Sequence, residues 1–564
     1  MTEACDRMRK GGSAGSFLFH SHLPWSHESV PGTEAGRRWL YEALADSYLP
    51  LLNGMEKWQR EGMPFRCVLS FSPPLIAMLS DDRLCDLFGN WLRRQIELSQ
   101  MEIVRNSFQA PLKRLGQYYR DRYCQCLNAW ESMGGDLRPT LRRLVLGGDL
   151  EMITTSATHA LLPFLLNEPR QLEFQIRGGL GALHKWLDTR SRGFWLPECA
   201  WHPSLELILV NAGVRWVMID DGSGRRPPVV TDNGLTVFFR NQSSARLIWD
   251  ATSGYPTAPE YRDFYRDIGQ DLDPDYLKPF LMDGNGRGYT GLKYHTIGGG
   301  YYDPESAQLR ILRQAAQFIE QSRTWSDPCS DGASMDQELT DFHLMAFDTE
   351  LFGHWWHEGP QFLDSLVKAS AADTSSGWKW ATPSGYLMRH SLNEEGESGS
   401  VDMVSEPIDV RSLAPSSWGS NRDFGFWIHD SNRAESMMVA RDRQQFWEAI
   451  DHWLTLKSQF KTDDWQEMLE LFCAGYCALA LEESSDWLFM IRAGQVPEYG
   501  RRQINFYHNI LRDITRRLSR KDGIPAGDRQ SIIRLPYPLM LPSDWLETIV
   551  STPRPTAPIQ LDGN

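Results

Sequence analysis

Two acids sit alike in this chain. Glu198 stands in the middle of "GFWLPECAW" (193–201), where a buried strand should be ending. Asp348 follows the apolar run Leu344 to Phe347 in "LMAFDTELFGHWW" (344–356). Two carboxyls placed alike on two strands of one sheet can converge over one pocket. Such a pair performs glycosidic bond cleavage: one acts as nucleophile or base, and the other, with a raised pKa, donates a proton. A second reading stays open at Asp348. An acid before "TELFGHWW" can simply cap the next helix, with Glu350 in its first turn.

His20 and His22, in "SFLFHSHLPW" (16–25), form the second constellation. Alternate residues of a strand point to one face, so both imidazoles can line one pocket. There they would bind substrate, ligate a metal or serve as structural histidines. A zinc site needs a third ligand, for which His159, His354 and His357 are available, but no HExxH segment occurs. The chain also carries 22 Trp residues. Trp fills cores, and its flat face also suits sugar rings. The Trp residues near the expected strand ends are Trp25, Trp249, Trp355, Trp356, Trp418 and Trp487.

Other chemistries find little support. "GNGRG" (284–288) lacks the preceding strand and following helix of a dinucleotide site, and no G-x-S-x-G elbow occurs at a strand-to-helix turn. The nine Cys are scattered without paired CxxC spacing, which reads as reduced thiols. A net charge of -15 argues against a polyanion partner such as nucleic acid. The N-terminal segment lacks an apolar signal region, and no apolar run reaches the ~18 residues of a membrane span. A cytoplasmic protein without a membrane partner is expected.

The elements that must position these groups alternate. "SFLFHSHLPW", "FRCVLSFSPPLIAML", "LEMITTSATHALLPFL", "GFWLPECAW" and "GVRWVMIDD" are each an apolar strand with a polar tip, most of them leading into a helical stretch. That is the pattern of a parallel α/β barrel or a doubly wound sheet, and in a barrel the C-terminal strand ends face the active site. Residues 80–145 read as mainly helical. Residues 222–300 are rich in turns and aromatics and read as an active-site wall. The acidic stretch 391–400 is a plausible boundary. Residues 430–522 read as amphipathic helices.

Taken jointly, "FLFHSHLPW", "ATHALLPFL", "GFWLPECAW", "MAFDTELFGHWWHEGP", "PSSWGSNRDFGFW" and "ESSDWLFMIRAGQ" resemble glycoside hydrolase family 57, in particular its 1,4-α-glucan branching members. The resemblance runs from about residue 17 to about residue 515. It implies an α/β fold: an incomplete (β/α)7 barrel with inserted loops and helices and a helical C-terminal domain. The expected divisions are a tail at 1–16, a barrel at 17–395 with insertions at about 80–145 and 222–300, and a mainly helical part at 396–564.

The resemblance further implies a retaining double displacement on α-glucan, without metal or cofactor; the oligomeric state is left open, with a monomer favoured. Glu198 then matches the nucleophile and Asp348 the acid/base, with their carboxyls about 5 to 5.5 Å apart. His20, His22, His159, Trp418, Asp486 and Trp487 match family motif positions. Trp25, Trp249, His354 and Trp355 complete the candidate substrate contacts. Ala160 stands where the third motif usually has Gly, and residues 222–235 lack the Tyr usual in the mobile loop of branching members. That leaves the balance between branching, 4-α-glucanotransferase and α-amylase activity open. An inactive glucan-binding protein is the alternative outside the enzymes.

Overall fold

The computed structural model describes residues 13–225, 228–281, 288–325, 341–373, 378–390, 407–455 and 462–519, with Leu535 and Tyr537. The expected boundary at 391–400 lies outside the described residues.

Nine strands form one sheet. They are β1 (Ala14–Ser21), β2 (Cys67–Phe71), β3 (Leu150–Thr154), β4 (Gly193–Phe194), β5 (Trp216–Ile219), β6 (Val229–Val230), β7 (Thr236–Phe239), β8 (Phe342–Asp348) and β9 (Lys379–Trp380). Their order is β6-β7-β5-β4-β3-β2-β1-β8, with β9 also on β1. Every pairing is parallel except that of β6 with β7. The sheet curls until its ends approach: just past β7, Arg240 bridges to Leu344 of β8, and the Asn241 N–H donates to the Leu344 carbonyl at 2.9 Å. Seven parallel strands therefore form a ring whose last seam is this single bridge, the incomplete (β/α)7 barrel expected from the sequence. Two details differ from that expectation. β1 begins at Ala14, inside the stretch assigned to the tail. The stretch 222–300 holds a true barrel strand, β7, whose four residues follow a Gly- and Pro-rich loop and offer too short an apolar run to be noticed.

The period of two sorts side chains between two cores. On β1, Phe17 and Phe19 face the surrounding helices, while Leu18 faces the barrel interior with Val68, Ile153, Trp216, Phe238 and Ala346. Register then determines the next layer toward the C-terminal ends. Leu18 pairs with Val68 and Ala346, so two residues later His20 pairs with Ser70 and Asp348. An apolar floor lies beneath a polar ring, as the fold places it.

Helices α1 (Thr33–Ala43) and α2 (Leu49–Arg60) run into each other through a π-helical segment, Leu44–Tyr48. Next come α3 (Pro73–Leu79), α4 (Asp82–Arg105), α5 (Ala110–Ser132), α6 (Arg138–Leu146) and α7 (Pro169–Leu187). Then follow α8 (Gln242–Trp249), α9 (Pro304–Ser322) and α10 (Gly359–Ala372). Side-chain caps start several of them: Ser72 accepts from Leu75, Asp81 from Arg83 and Leu84, and Asn241 from Ser244. The C-terminal helices are α11 (Arg433–Thr455), α12 (Thr462–Glu482), α13 (Ser485–Ala493) and α14 (Pro497–Leu518). Their apolar residues, among them Phe446, Tyr476, Ile504 and Tyr507, join the same core as the outer face of the barrel.

Candidate active site

Glu198 is not on the strand itself. β4 ends at Phe194, and Pro197, which has no N–H to give to a sheet, opens a tight turn. Glu198 and Cys199 both occupy the left-handed region, with φ of 61° and 52°. Non-glycine residues held there cost roughly 1–3 kcal/mol each and persist only where the surroundings impose them. Here the Cys199 N–H donates to the Leu196 carbonyl (2.8 Å), the Ala200 N–H to the Pro197 carbonyl (3.0 Å) and the Trp418 N–H to the Glu198 carbonyl (3.0 Å). The strain turns the carboxylate back over the barrel mouth. Its Oε2 accepts from the Trp418 indole N–H at 2.8 Å and its Oε1 from the Ser485 hydroxyl at 3.1 Å. Burial pushes this carboxyl up to about 7, with the Asp486 charge adding to it; the Trp418 and Ser485 hydrogen bonds and His22 hold it from rising further.

Asp348 is the last residue of β8, and its side chain makes no capping hydrogen bond, so the plain N-cap reading fails. Its carboxyl is driven well up, first by burial, then by the nearby Glu350 and Glu198 charges, against the pull of Arg240. Arg240 pairs with Asp220 at 3.2 Å and donates to the Ala346 carbonyl at 3.2 Å, with its guanidinium over the Trp418 ring at 5.2 Å. Glu350 is buried, accepts from the Tyr48 hydroxyl and is raised by burial to about 7.

The histidines converge. His20 and His159 meet Nε2 to Nε2 at 3.0 Å, and the His22 and His159 rings stack with centroids 3.7 Å apart. Burial, and then neighbouring imidazoles, push His20 and His159 well below the ordinary histidine range, so both are neutral. With Glu198 ionised, the direction of every hydrogen bond in the chain is set from one end. Ser485 donates to Glu198, so it accepts from His159 Nδ1–H at 2.8 Å. His159 Nε2 then accepts from His20 Nε2–H, which leaves His20 Nδ1 to accept from Ser70 at 3.1 Å. His22 lies beside this chain, bonded to Ser72 at 2.8 Å and to Asp486 at 2.9 Å. Although burial opposes it, the interaction with His22 holds Asp486 down at about 2. His22, His159 and Asp486 offer ligand atoms within 4.8 Å of one another. A metal there would have to displace the hydrogen bonds that already occupy His159 and His22.

The aromatics divide. Trp249 and Trp355 are 42% and 41% exposed, and Trp249 lies 6.5 Å from the Trp418 ring, nearly parallel to it. These three form a rim beside the carboxyls. Trp25 and Trp487 do not join it. Both are buried, Trp25 against Tyr537 and Trp487 with its indole N–H on the Leu481 carbonyl, so they pack the core and present no face to a ligand. His354 also stands apart, between Glu42 (3.8 Å) and Asp46 (3.5 Å). The sequence reading missed Ser485, Ser70, Ser72, Tyr48 and Arg240, and took Glu350 only as a first-turn acid. Ser485 and Glu350 lie inside the quoted motifs, which was signal enough to weigh them; Tyr48 and Arg240 carry no local signal.

A family model described as "Glycosyl hydrolase family 57" matches residues 16–392. The 1,4-alpha-glucan branching enzyme TK1436 of Thermococcus kodakarensis is 25% identical over 559 residues, covering 89% of this chain and 74% of that protein. Among solved structures, the alpha-amylase AmyC of Thermotoga maritima superposes with a TM-score of 0.76 at 26% identity, covering 95% of this chain and 97% of its own. A GH57-type branching enzyme from Pyrococcus horikoshii gives 0.76 at 25% identity, covering 97% and 98%.

Proposed function

The chain belongs to glycosyl hydrolase family 57, and from that premise we propose that it is a 1,4-α-glucan branching enzyme working by a retaining double displacement. The observation that carries the reading is the opposed setting of two acids at one barrel mouth. Glu198 keeps two hydrogen-bond donors that favour its carboxylate, while Asp348 is pushed far toward its protonated form. Acids with environments driven apart divide the roles of nucleophile and proton donor.

In this reading the barrel that begins with β1 at Ala14 is the catalytic part, and the described residues from 407 onward complete its cleft with Trp418, Ser485 and Asp486. Asp348 gives its proton to the glycosidic oxygen as the bond to the anomeric carbon breaks. Glu198 forms the ester to that carbon, and the shortened chain leaves with the proton. Asp348, now ionised, takes the proton of an incoming hydroxyl, whose oxygen displaces Glu198. A glucan 6-hydroxyl gives an α-1,6 branch, and water gives hydrolysis. The Trp249–Trp355–Trp418 rim favours the sugar by stacking on it and displacing water. The relatives named branching enzymes support the transfer outcome. The similarity to an amylase makes hydrolysis the competing one.

Incubation with amylose, followed by proton NMR, tests the assignment. New α-1,6 anomeric signals are expected. Free reducing ends alone would make the protein a hydrolase, longer linear chains a 4-α-glucanotransferase, and unchanged amylose retained on a native gel a binding protein.

A further inference from the structure

Away from the barrel mouth, three ligating side chains meet where the C-terminal helices cross. Asp442 comes from α11, Glu482 is the last residue of α12, and His508 comes from α14. One ligand atom from each lies within 4.8 Å of the others. His508 Nδ1 already contacts Asp442 Oδ2.

Glu482 is the anomaly. It is 1% exposed, and neither of its carboxylate oxygens accepts from a donor group of the described residues; the partner in reach is the Asp442 carboxyl, which can bond to it only through a shared proton. An unpaired buried carboxylate is among the costliest groups a fold can carry. The cation next in sequence to Asp442 does not relieve it. Arg443 is committed to Glu483, with a further bond to the Phe164 carbonyl at 2.9 Å. The group nearest Glu482 that the site does offer is a second acid, Asp442. Two carboxylates and one imidazole, all on separate helices and aimed at one point, leave a deficit of positive charge there.

We propose that Asp442, Glu482 and His508 bind a divalent transition-metal ion of the Zn2+ or Mn2+ type. Two carboxylate oxygens and one imidazole nitrogen suit such an ion, with water filling the remaining positions. The His508 side chain is 16% exposed, which gives the ion a way in. The ion ties α11, α12 and α14 together directly below the turn that carries Ser485 and Asp486, three and four residues beyond Glu482. Its role is to hold that turn, not to take part in glycosyl transfer, and it does not depend on which glucan reaction the barrel performs.

The test uses the full chain stripped with EDTA and titrated with ZnCl2, beside His508→Gln and Glu482→Gln. The His508 side chain is 16% exposed whereas Glu482 is fully buried, so His508→Gln is the milder change and carries the test even where Glu482→Gln does not fold. Wild type should take up one more equivalent of Zn2+ than His508→Gln, and zinc should raise its melting temperature by about 3 °C while leaving the variant unmoved. The comparison by variant removes any zinc bound at His22, His159 and Asp486, which both proteins share. Equal zinc uptake and equal thermal shifts in wild type and His508→Gln would overturn the proposal. So would a wild type that binds no zinc but matches Glu482→Gln in stability, because Glu482 would then simply be holding a proton.

Discussion

At the scale of single residues, the two acids differ by what touches them. The indole of Trp418 and the hydroxyl of Ser485 favour the charged form of Glu198, whereas burial and two neighbouring carboxyls disfavour charge on Asp348. The proposed double displacement requires Glu198 ionised and Asp348 protonated. On amylose, kcat/KM should therefore rise through about pH 7 as Glu198 loses its proton, and the alkaline limb of the profile should belong to Asp348. In Trp418→Phe the donor to Oε2 is gone and the carboxylate loses support. The rising limb should shift to higher pH; an unmoved limb would mean that some other group titrates there. Asp348→Asn should lose on the order of 10³-fold or more in turnover of amylose. The variant should recover the first step with an α-glucosyl fluoride, whose leaving group needs no proton. Failure of that rescue would remove Asp348 from acid catalysis.

At the scale of elements, strained or irregular pieces carry the site. Asp348 rides a regular strand, and its apolar run made it legible. Glu198 was legible as a motif, but its turn was not, because nothing in "LPECAW" announces two consecutive left-handed residues. The π-helical segment Leu44–Tyr48 is a similar case. It brings Tyr48 to Glu350, but residues 36–58 have helical apolar spacing throughout, with no mark of the change in period. Across from that segment, Gly353 has φ of 126°, and a Cβ there would stand 1.8 Å from the Asp46 carbonyl oxygen. The clash is with backbone, which cannot swing aside. Gly353→Ala should cost roughly 2–4 kcal/mol in thermal unfolding and lower kcat as well, since the segment that carries Tyr48 must move. A variant with wild-type melting and turnover would show that this contact is soft.

At the scale of the whole molecule, the barrel was legible because strand and helix signals alternate locally. What sequence spacing could not convey is that Ser485, 287 residues beyond Glu198, completes its hydrogen bonding. Nor could spacing separate the buried Trp25 and Trp487 from the exposed Trp249, since burial depends on what packs from elsewhere. The site is also a charge on the stability of the fold. The folded chain binds the Glu198 proton more tightly than the unfolded chain does, so wild-type stability falls as pH rises from about 4.5 to about 7. Glu198→Gln should melt higher than wild type at pH 8, by the equivalent of about 3 kcal/mol, and the gain should vanish near pH 4. Equal melting at both values would mean that Glu198 is not held in the unfavourable state described.

The run from Ser70 through His20, His159 and Ser485 to Glu198 has one further consequence. His20, His159 and Ser485 each give one hydrogen bond and receive one, with Ser70 giving at one end and Glu198 receiving at the other. A proton on Glu198 removes the acceptor that holds Ser485 as a donor, and with it the constraint that fixes the direction of the links behind it. The far ring, His20, then records on its nitrogens whether the carboxylate is free to attack, and nitrogen NMR of that one histidine reads the state of an acid it never touches.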